Sequence, residues 1–188
     1  MSTASPATTL HFLTLLAVAA VAAGEDGLTH LHLYIHATIP WFTGANTNAS
    51  TASLSMGSQQ PPWGNPWFGS MGAIDDELRD GPDPASPYLG RAQGMLVQAD
   101  LGSPAAWCTT VVLAFTEGDY AGSTLVVDGR VDLAADVVER GVVGGTGRFR
   151  RARGYSLTTR FGDNPTTPSG NTTVVVFEMD PFVKIIGG

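Results

Sequence analysis

Residues 31–39 read LHLYIHATI, and the alternation in that stretch decides the fold class. Leu31, Leu33, Ile35, Ala37 and Ile39 fall on one face of an extended chain, and His30, His32, Tyr34, His36 and Thr38 fall on the other. A helix would scatter those aliphatic side chains around its circumference. The segment therefore reads as a half-buried strand whose aliphatic face turns into a core.

Working outward, short apolar runs bounded by turn residues recur at 50–57, 68–76, 89–99, 107–117, 123–128, 147–161 and 171–183. With 23 Gly and 12 Pro in 188 residues, few stretches are long enough for an amphipathic helix. About eight strands is near the number that closes a small barrel, and closure removes the exposed edges of an open sheet. The expectation is an all-β, antiparallel closed β-barrel of about eight strands. Periodicity alone does not separate it from a sandwich. Residues 60–67, QPPWGNPW, carry three prolines that lack donors, so they read as a loop holding Trp63 and Trp67. Such a loop is either a flap over a pocket or a surface segment whose indoles pack back on the barrel. Packing is favoured, since exposed Trp pairs are costly.

Residues 10–23 form an uncharged apolar run that ends in Ala20, Val21 and Ala22, the small-x-small pattern cut by signal peptidase. The run is shorter than the roughly 20 residues needed to cross a bilayer. Residues 1–23 therefore read as a secretory signal peptide and 24–188 as one domain, secreted to the extracellular space. All 10 basic and 17 acidic residues lie beyond that signal, and the net charge of −7 argues against nucleic acid and anionic membrane as partners. Cys108 is the only cysteine, so no internal disulfide can form, and a buried thiol on a strand is expected. Asn48 and Asn171 open N-x-S/T sequons, while Asn164 is excluded by Pro165.

The chemistry-bearing residue types form few sets. His30, His32 and His36 share a strand face, but no pair of carboxylates or thiols neighbours them in sequence, so they read as a solvated or interface-facing row, with no metal expected. Gly141, Gly144, Gly145 and Gly147 lack the GK[ST] ending of a phosphate loop and read as a glycine-rich turn. No serine sits in a nucleophile elbow, and Cys108 has no basic neighbour in sequence. Neither a catalytic residue nor a cofactor is expected. In a strand Arg148 and Arg150 would point one way and Arg151 and Arg153 the other, so one pair would face the interior or a subunit contact. Asp75 and Asp76 also point opposite ways, which offers one inward carboxylate as a partner.

Four blocks in order carry a family resemblance: 74–82 (IDDELRDGP), 90–94 (GRAQG), 120–130 (YAGSTLVVDGR) and 141–155 (GVVGGTGRFRRARGY). With the opening strand and a turn at Gly44, Asn46 and Thr47, the chain resembles the plant dirigent proteins over nearly the whole of 24–188. The resemblance implies an antiparallel barrel, like that of allene oxide cyclases, and an apoplastic homodimer or homotrimer. It also implies a stereo-directing protein, not an oxidant. A separate oxidase or peroxidase takes one electron from a phenol such as coniferyl alcohol, and the barrel holds two phenoxy radicals so that they join at one position and face, in lignan- or lignin-type phenylpropanoid metabolism. Radical combination has almost no barrier, so orientation alone can select the product.

The pocket expected on this basis takes in Ala37, Asp76, Arg91, Leu96, Gln98, Arg151 and Arg153, shaped by residues 90–94 and 148–155. Lignan-forming members resemble one another in an Asp where this chain has Ala37. They often carry tyrosines where Leu96 and Gln98 stand, and polar residues at the positions of Val131 and Val138. The pocket is thus more apolar than the lignan-forming type. Two other readings stay open: a lipocalin-like carrier of a phenolic ligand, and a barrel enzyme using Asp75, Asp76 or Glu117 as acid or base.

Overall fold

The computed structural model describes residues 27–38, 52–56, 65–162 and 174–185, with backbone pairing alone for 52–56. Among these residues the strands are β1 (Thr29–His30), β2 (Leu33–Thr38), β3 (Ala52–Met56), β4 (Met71–Arg79), β5 (Tyr88–Val97), β6 (Ala106–Phe115), β7 (Thr124–Asp132), β8 (Val137–Thr146), β9 (Arg153–Arg160) and β10 (Val174–Lys184). Eight of them, in the order β10-β2-β4-β5-β6-β7-β8-β9, pair antiparallel in a ring that β9 closes by pairing with β10. β1 extends the β10 ladder, and β3 pairs with β4 outside the ring. Closure leaves the eight ring strands no free edge, as expected for a sheet built from short alternating strands.

The aliphatic face of the opening strand points inward: Leu31, Leu33, Ile35 and Ala37 are buried, and Ile35 stands opposite Phe177 on β10 and Leu78 on β4. The opposite face is less open than the alternation suggests. Tyr34 and His36 are also buried, with Phe161 edge-on to Tyr34 and His36 donating from Nε2 to the Gly81 carbonyl.

The strand count agrees with the sequence reading, but its membership does not. Residues 137–146 are strand β8, where a glycine-rich turn was expected at 141–147, while one of the runs counted, β3, lies outside the ring. Gly144 opposes Val126 and Val142 opposes Val127, so Val143 is a bulge between them. Gly145 is needed because the neighbouring chain passes close by. A Cβ there would lie 2.2 Å from the Thr124 carbonyl oxygen and 2.7 Å from Cβ of Phe149.

The bulge and the 3-10 turn that follows (Gly147–Phe149) swing Phe149 into the barrel. Its ring lies 5.5 Å from that of Phe115 and 4.8 Å from that of Tyr120, and with Leu78, Leu113, Leu125, Val127, Met179 and Val183 it fills one half of the interior. This half is packed core. Removing a fully buried aromatic ring of this kind costs about 3–5 kcal/mol.

Two surface expectations are corrected. Cys108 sits on β6 but faces outward and is exposed, because the odd-numbered residues from Trp107 to Phe115 take the inner face. Trp67 stands 56% exposed and does not pack back on the barrel. Trp63, Asn48, Asn171, the turn at Gly44, Asn46 and Thr47, and the leader lie outside the described residues.

Candidate interior binding site

The other half of the interior differs in chemistry. Parity on each strand, set by its fully buried members, turns Ile74 and Asp76 (β4), Leu96 (β5), Trp107 and Thr109 (β6), Gly129 and Val131 (β7), Val138 and Arg140 (β8), Ser156 and Thr158 (β9) and Phe177 (β10) inward. Several of these, including Leu96, Thr109, Val131 and Val138, are only partly buried, unlike their neighbours around Phe149. The barrel is therefore filled at the Phe149 end and accessible in this half.

Arg140 dominates the site. It is 7% exposed and two residues from Val142 of the packed core, on the same face of β8. Its Nη1 donates to Thr109 Oγ1 at 3.3 Å and its Nη2 to Thr158 Oγ1 at 3.1 Å. Thr109 passes the bond on, donating to the Gly129 carbonyl at 3.2 Å. Among the described residues Arg140 has no ion pair, and its Nε has no hydrogen-bond partner. A lone buried cation is costly, and burial pushes this guanidinium down to about 10, with the Asp128 carboxylate pulling the other way. It still carries its charge at neutral pH.

On the inner face of these strands two more buried donors, Trp107 Nε1 and Ser156 Oγ, lack a hydrogen-bond partner among the described residues, and Ser156 is paired directly with Arg140 across β8 and β9. The half-open interior thus has apolar walls and surplus donors. That combination suits a largely apolar guest with oxygen acceptors.

The residues expected in the pocket divide. Ala37 and Asp76 are buried on the inner face, and in the β2–β4 register Ala37 would be the next opposite Asp76 after His36 and Glu77. Leu96 is also inward. Gln98 is fully buried, but its Nε2 donates to the carbonyls of Asp100, Ser103 and Ala106, which fixes the β5–β6 connection.

Arg91 is on the outside, since Ala92 takes the inner position. Its Nε donates to Asp75 Oδ1 at 2.8 Å. Arg151 and Arg153 are exposed, as are Arg148 and Arg150, because a 3-10 turn takes the place of the first residues of the expected strand, which begins only at Arg153, and Phe149 and Ala152 turn inward instead. The interior guanidinium is Arg140. Sequence reasoning missed it along with β8, although Val138, Arg140 and Val142 alternate as a strand would. Of the candidate acids, only Asp76 faces inward: Asp75 pairs with Arg91, and Glu117 is exposed beside the Gly118–Tyr120 turn.

The histidine row is also redistributed. Asp180 Oδ1 lies 2.7 Å from both His30 Nε2 and His32 Nδ1, supplying from 150 residues away the carboxylate that the local sequence lacks.

Comparison with known proteins agrees with this architecture. The dirigent-like protein family model matches residues 28–183. Dirigent protein 1 of Arabidopsis thaliana is 38% identical over 132 residues, 70% of this chain and 69% of that protein. Pterocarpan synthase 1 of Glycine max is 35% identical over 136 residues, 70% of this chain and 68% of its own. Among solved structures, a pterocarpan synthase dirigent protein superposes with a TM-score of 0.65 at 28% identity, covering 86% of each chain. With the eight-stranded closed barrel and a family match running from Leu28 to Val183, this chain belongs to the dirigent family.

Proposed function

We propose that the accessible half of the barrel binds a phenolic molecule and directs the coupling of phenoxy radicals, such as those of monolignols, that a separate oxidase or peroxidase generates. The observation that carries this reading is a set of three buried donors without hydrogen-bond partners among the described residues, Arg140 Nε, Trp107 Nε1 and Ser156 Oγ, beside the apolar Leu96, Val131 and Val138. A guest oxygen taken up by Arg140 would place an aromatic ring against Leu96, Val131 and Val138. Fixing that ring leaves one face open to a second radical, and with almost no barrier to coupling the open face selects the product. On this reading the protein is secreted to the extracellular space, takes no electron itself, and works as a homodimer or homotrimer.

A second reading has its own support. Relatives named pterocarpan synthase share the fold, and Asp76 gives the interior one carboxylate able to move a proton. A barrel that eliminates water from a phenolic intermediate would use Asp76 as acid or base and Arg140 to hold the oxygen that gains charge.

The deciding experiment is chiral chromatography of the dimers formed when a laccase oxidises coniferyl alcohol with and without the purified protein. Enantiomeric excess in one dimer at an unchanged oxidation rate supports radical steering. A racemic mixture identical to the control removes coniferyl alcohol as the directed substrate. Turnover of a hydroxylated phenolic that is lost in Asp76→Asn would then favour the second reading.

A further inference from the structure

Outside the barrel, where the inward Leu31 and Leu33 leave their neighbours facing solvent, His30, His32 and Asp180 bring three metal-ligating groups together. Their ligand atoms all lie within 4.8 Å of one another, and Asp180 Oδ1 is 2.7 Å from both His30 Nε2 and His32 Nδ1. Glu178, two residues back on β10, has Oε1 3.3 Å from His32 Nε2. The strands fix this convergence. His30 pairs with Phe182, Leu31 N–H donates to the Pro181 carbonyl at 2.9 Å, and Leu33 pairs with Met179.

We propose that this cluster binds a divalent transition-metal cation of the Zn2+ class through His30 Nε2, His32 Nδ1 and the Asp180 carboxylate. Two imidazoles and one carboxylate suit zinc, nickel or copper, whereas calcium and magnesium take oxygen ligands. Atoms that share one ion at about 2.0–2.2 Å stand roughly 3.0–3.5 Å apart, so the 2.7 Å Asp180 contacts open by about 0.3–0.8 Å while the cluster, spread within 4.8 Å, draws in around the ion. Neighbouring groups hold both rings. The His30 ring lies flat on Phe182, 4.4 Å between centroids and 2° between planes, and the His32 Nε2 is 2.8 Å from the Tyr34 hydroxyl.

An orienting partner on the far ring nitrogen is what metal-bound histidines have. The side chains of His30, His32 and Asp180 are 34%, 44% and 26% exposed, which leaves room for an ion to enter and for water to complete its shell. The ion would clip the two-residue strand β1 onto β10. It stands apart from the interior site and does not depend on the function proposed for it.

The test uses the chain produced without a polyhistidine tag, with Zn2+ as the probe in equilibrium dialysis and Co2+ as a spectroscopic reporter of nitrogen ligation. One ion per chain is expected, with a rise in Tm that EDTA reverses and a Co2+ ligand-field band. His32→Gln and Asp180→Asn should each weaken Zn2+ binding by at least about tenfold. The exposed His32→Gln chain should keep the wild-type Tm in EDTA, which separates lost ligation from lost folding. Binding below one ion per chain, or equal affinity in the wild type and in His32→Gln or Asp180→Asn, would overturn the assignment.

Discussion

Gly129 makes room for Arg140: a Cβ built at residue 129 would stand 3.3 Å from Cγ of Arg140 and 3.5 Å from its Cα. The glycine has a φ of +152°, a conformation that side chains with a Cβ rarely adopt. Its carbonyl also accepts from Thr109, so one residue positions both the stem of the guanidinium and a hydroxyl that contacts its head. Gly129→Ala is expected to lower stability by about 1–3 kcal/mol, read from denaturant melts, and to weaken ligand binding by displacing Arg140. An alanine variant with unchanged stability would show that the backbone at 129 is under no constraint.

Arg140→Met separates function from stability. Removing a buried cation that has no ion pair among the described residues should leave the fold as stable as before or more so, by up to about 1–3 kcal/mol, since desolvation of the charge no longer opposes folding. The same variant should lose phenolic binding at least tenfold and with it any enantiomeric excess. A large fall in Tm would mean instead that the bonds to Thr109 and Thr158 outweigh the cost of the buried charge.

The pH dependence of binding follows from the same group. With its guanidinium held at about 10, Arg140 is charged at neutral pH and loses its proton as pH rises through that value, below the ordinary arginine range. For an aromatic ketone, which has no proton of its own to lose, affinity should be flat from about pH 7 to 9 and fall as pH passes about 10. Arg140→Met should show no such fall, and fluorescence titration of both chains across that range checks it.

Arg91→Gln, by contrast, should change little. Its partner Asp75 is about half exposed on the outer surface, where ion pairs contribute at most about 1 kcal/mol. Arg151→Gln and Arg153→Gln are likewise expected to leave product chirality intact. Loss of enantiomeric excess in any of the three would place the working surface outside the barrel.

Phe149→Ala should cost about 3–5 kcal/mol, because the ring is fully buried against Phe115 and Tyr120 and the barrel cannot close around the gap. A thermal melt reads this directly, and a Tm within a few degrees of wild type would mean that the surrounding side chains collapse into the space.

What the sequence revealed depended on how far each signal extends along the chain. The alternation of residues 31–39 is local and strong, and the structure buries its aliphatic face at Leu31, Leu33, Ile35 and Ala37, although Tyr34 and His36 on the other face are buried as well. Strand β8 was hidden because Gly144 and Gly145 imitate a turn, and only the closeness of Thr124 and Phe149 explains why the strand needs Gly145. Arg140 was missed with it. The four neighbouring arginines drew the reading to a segment whose inward residues are Phe149 and Ala152, since a bulge and a 3-10 turn shift the alternation there. The carboxylate that joins His30 and His32 was invisible for another reason: contacts made where the first strands pair with the last leave no trace in local spacing.

The Phe149 plug bears on the order of events in any coupling reaction. Among the described residues the barrel is filled at one end, so on the proposed function both reactants would come in, and the product go out, through the other half. On the proposed function, the first radical to enter would take the inner berth beside Arg140 and the second would meet it from the solvent side. The two roles are then unequal even when the molecules are identical. Selectivity would rest on how the first guest lies, while the rate would rest on how long it stays before the second arrives.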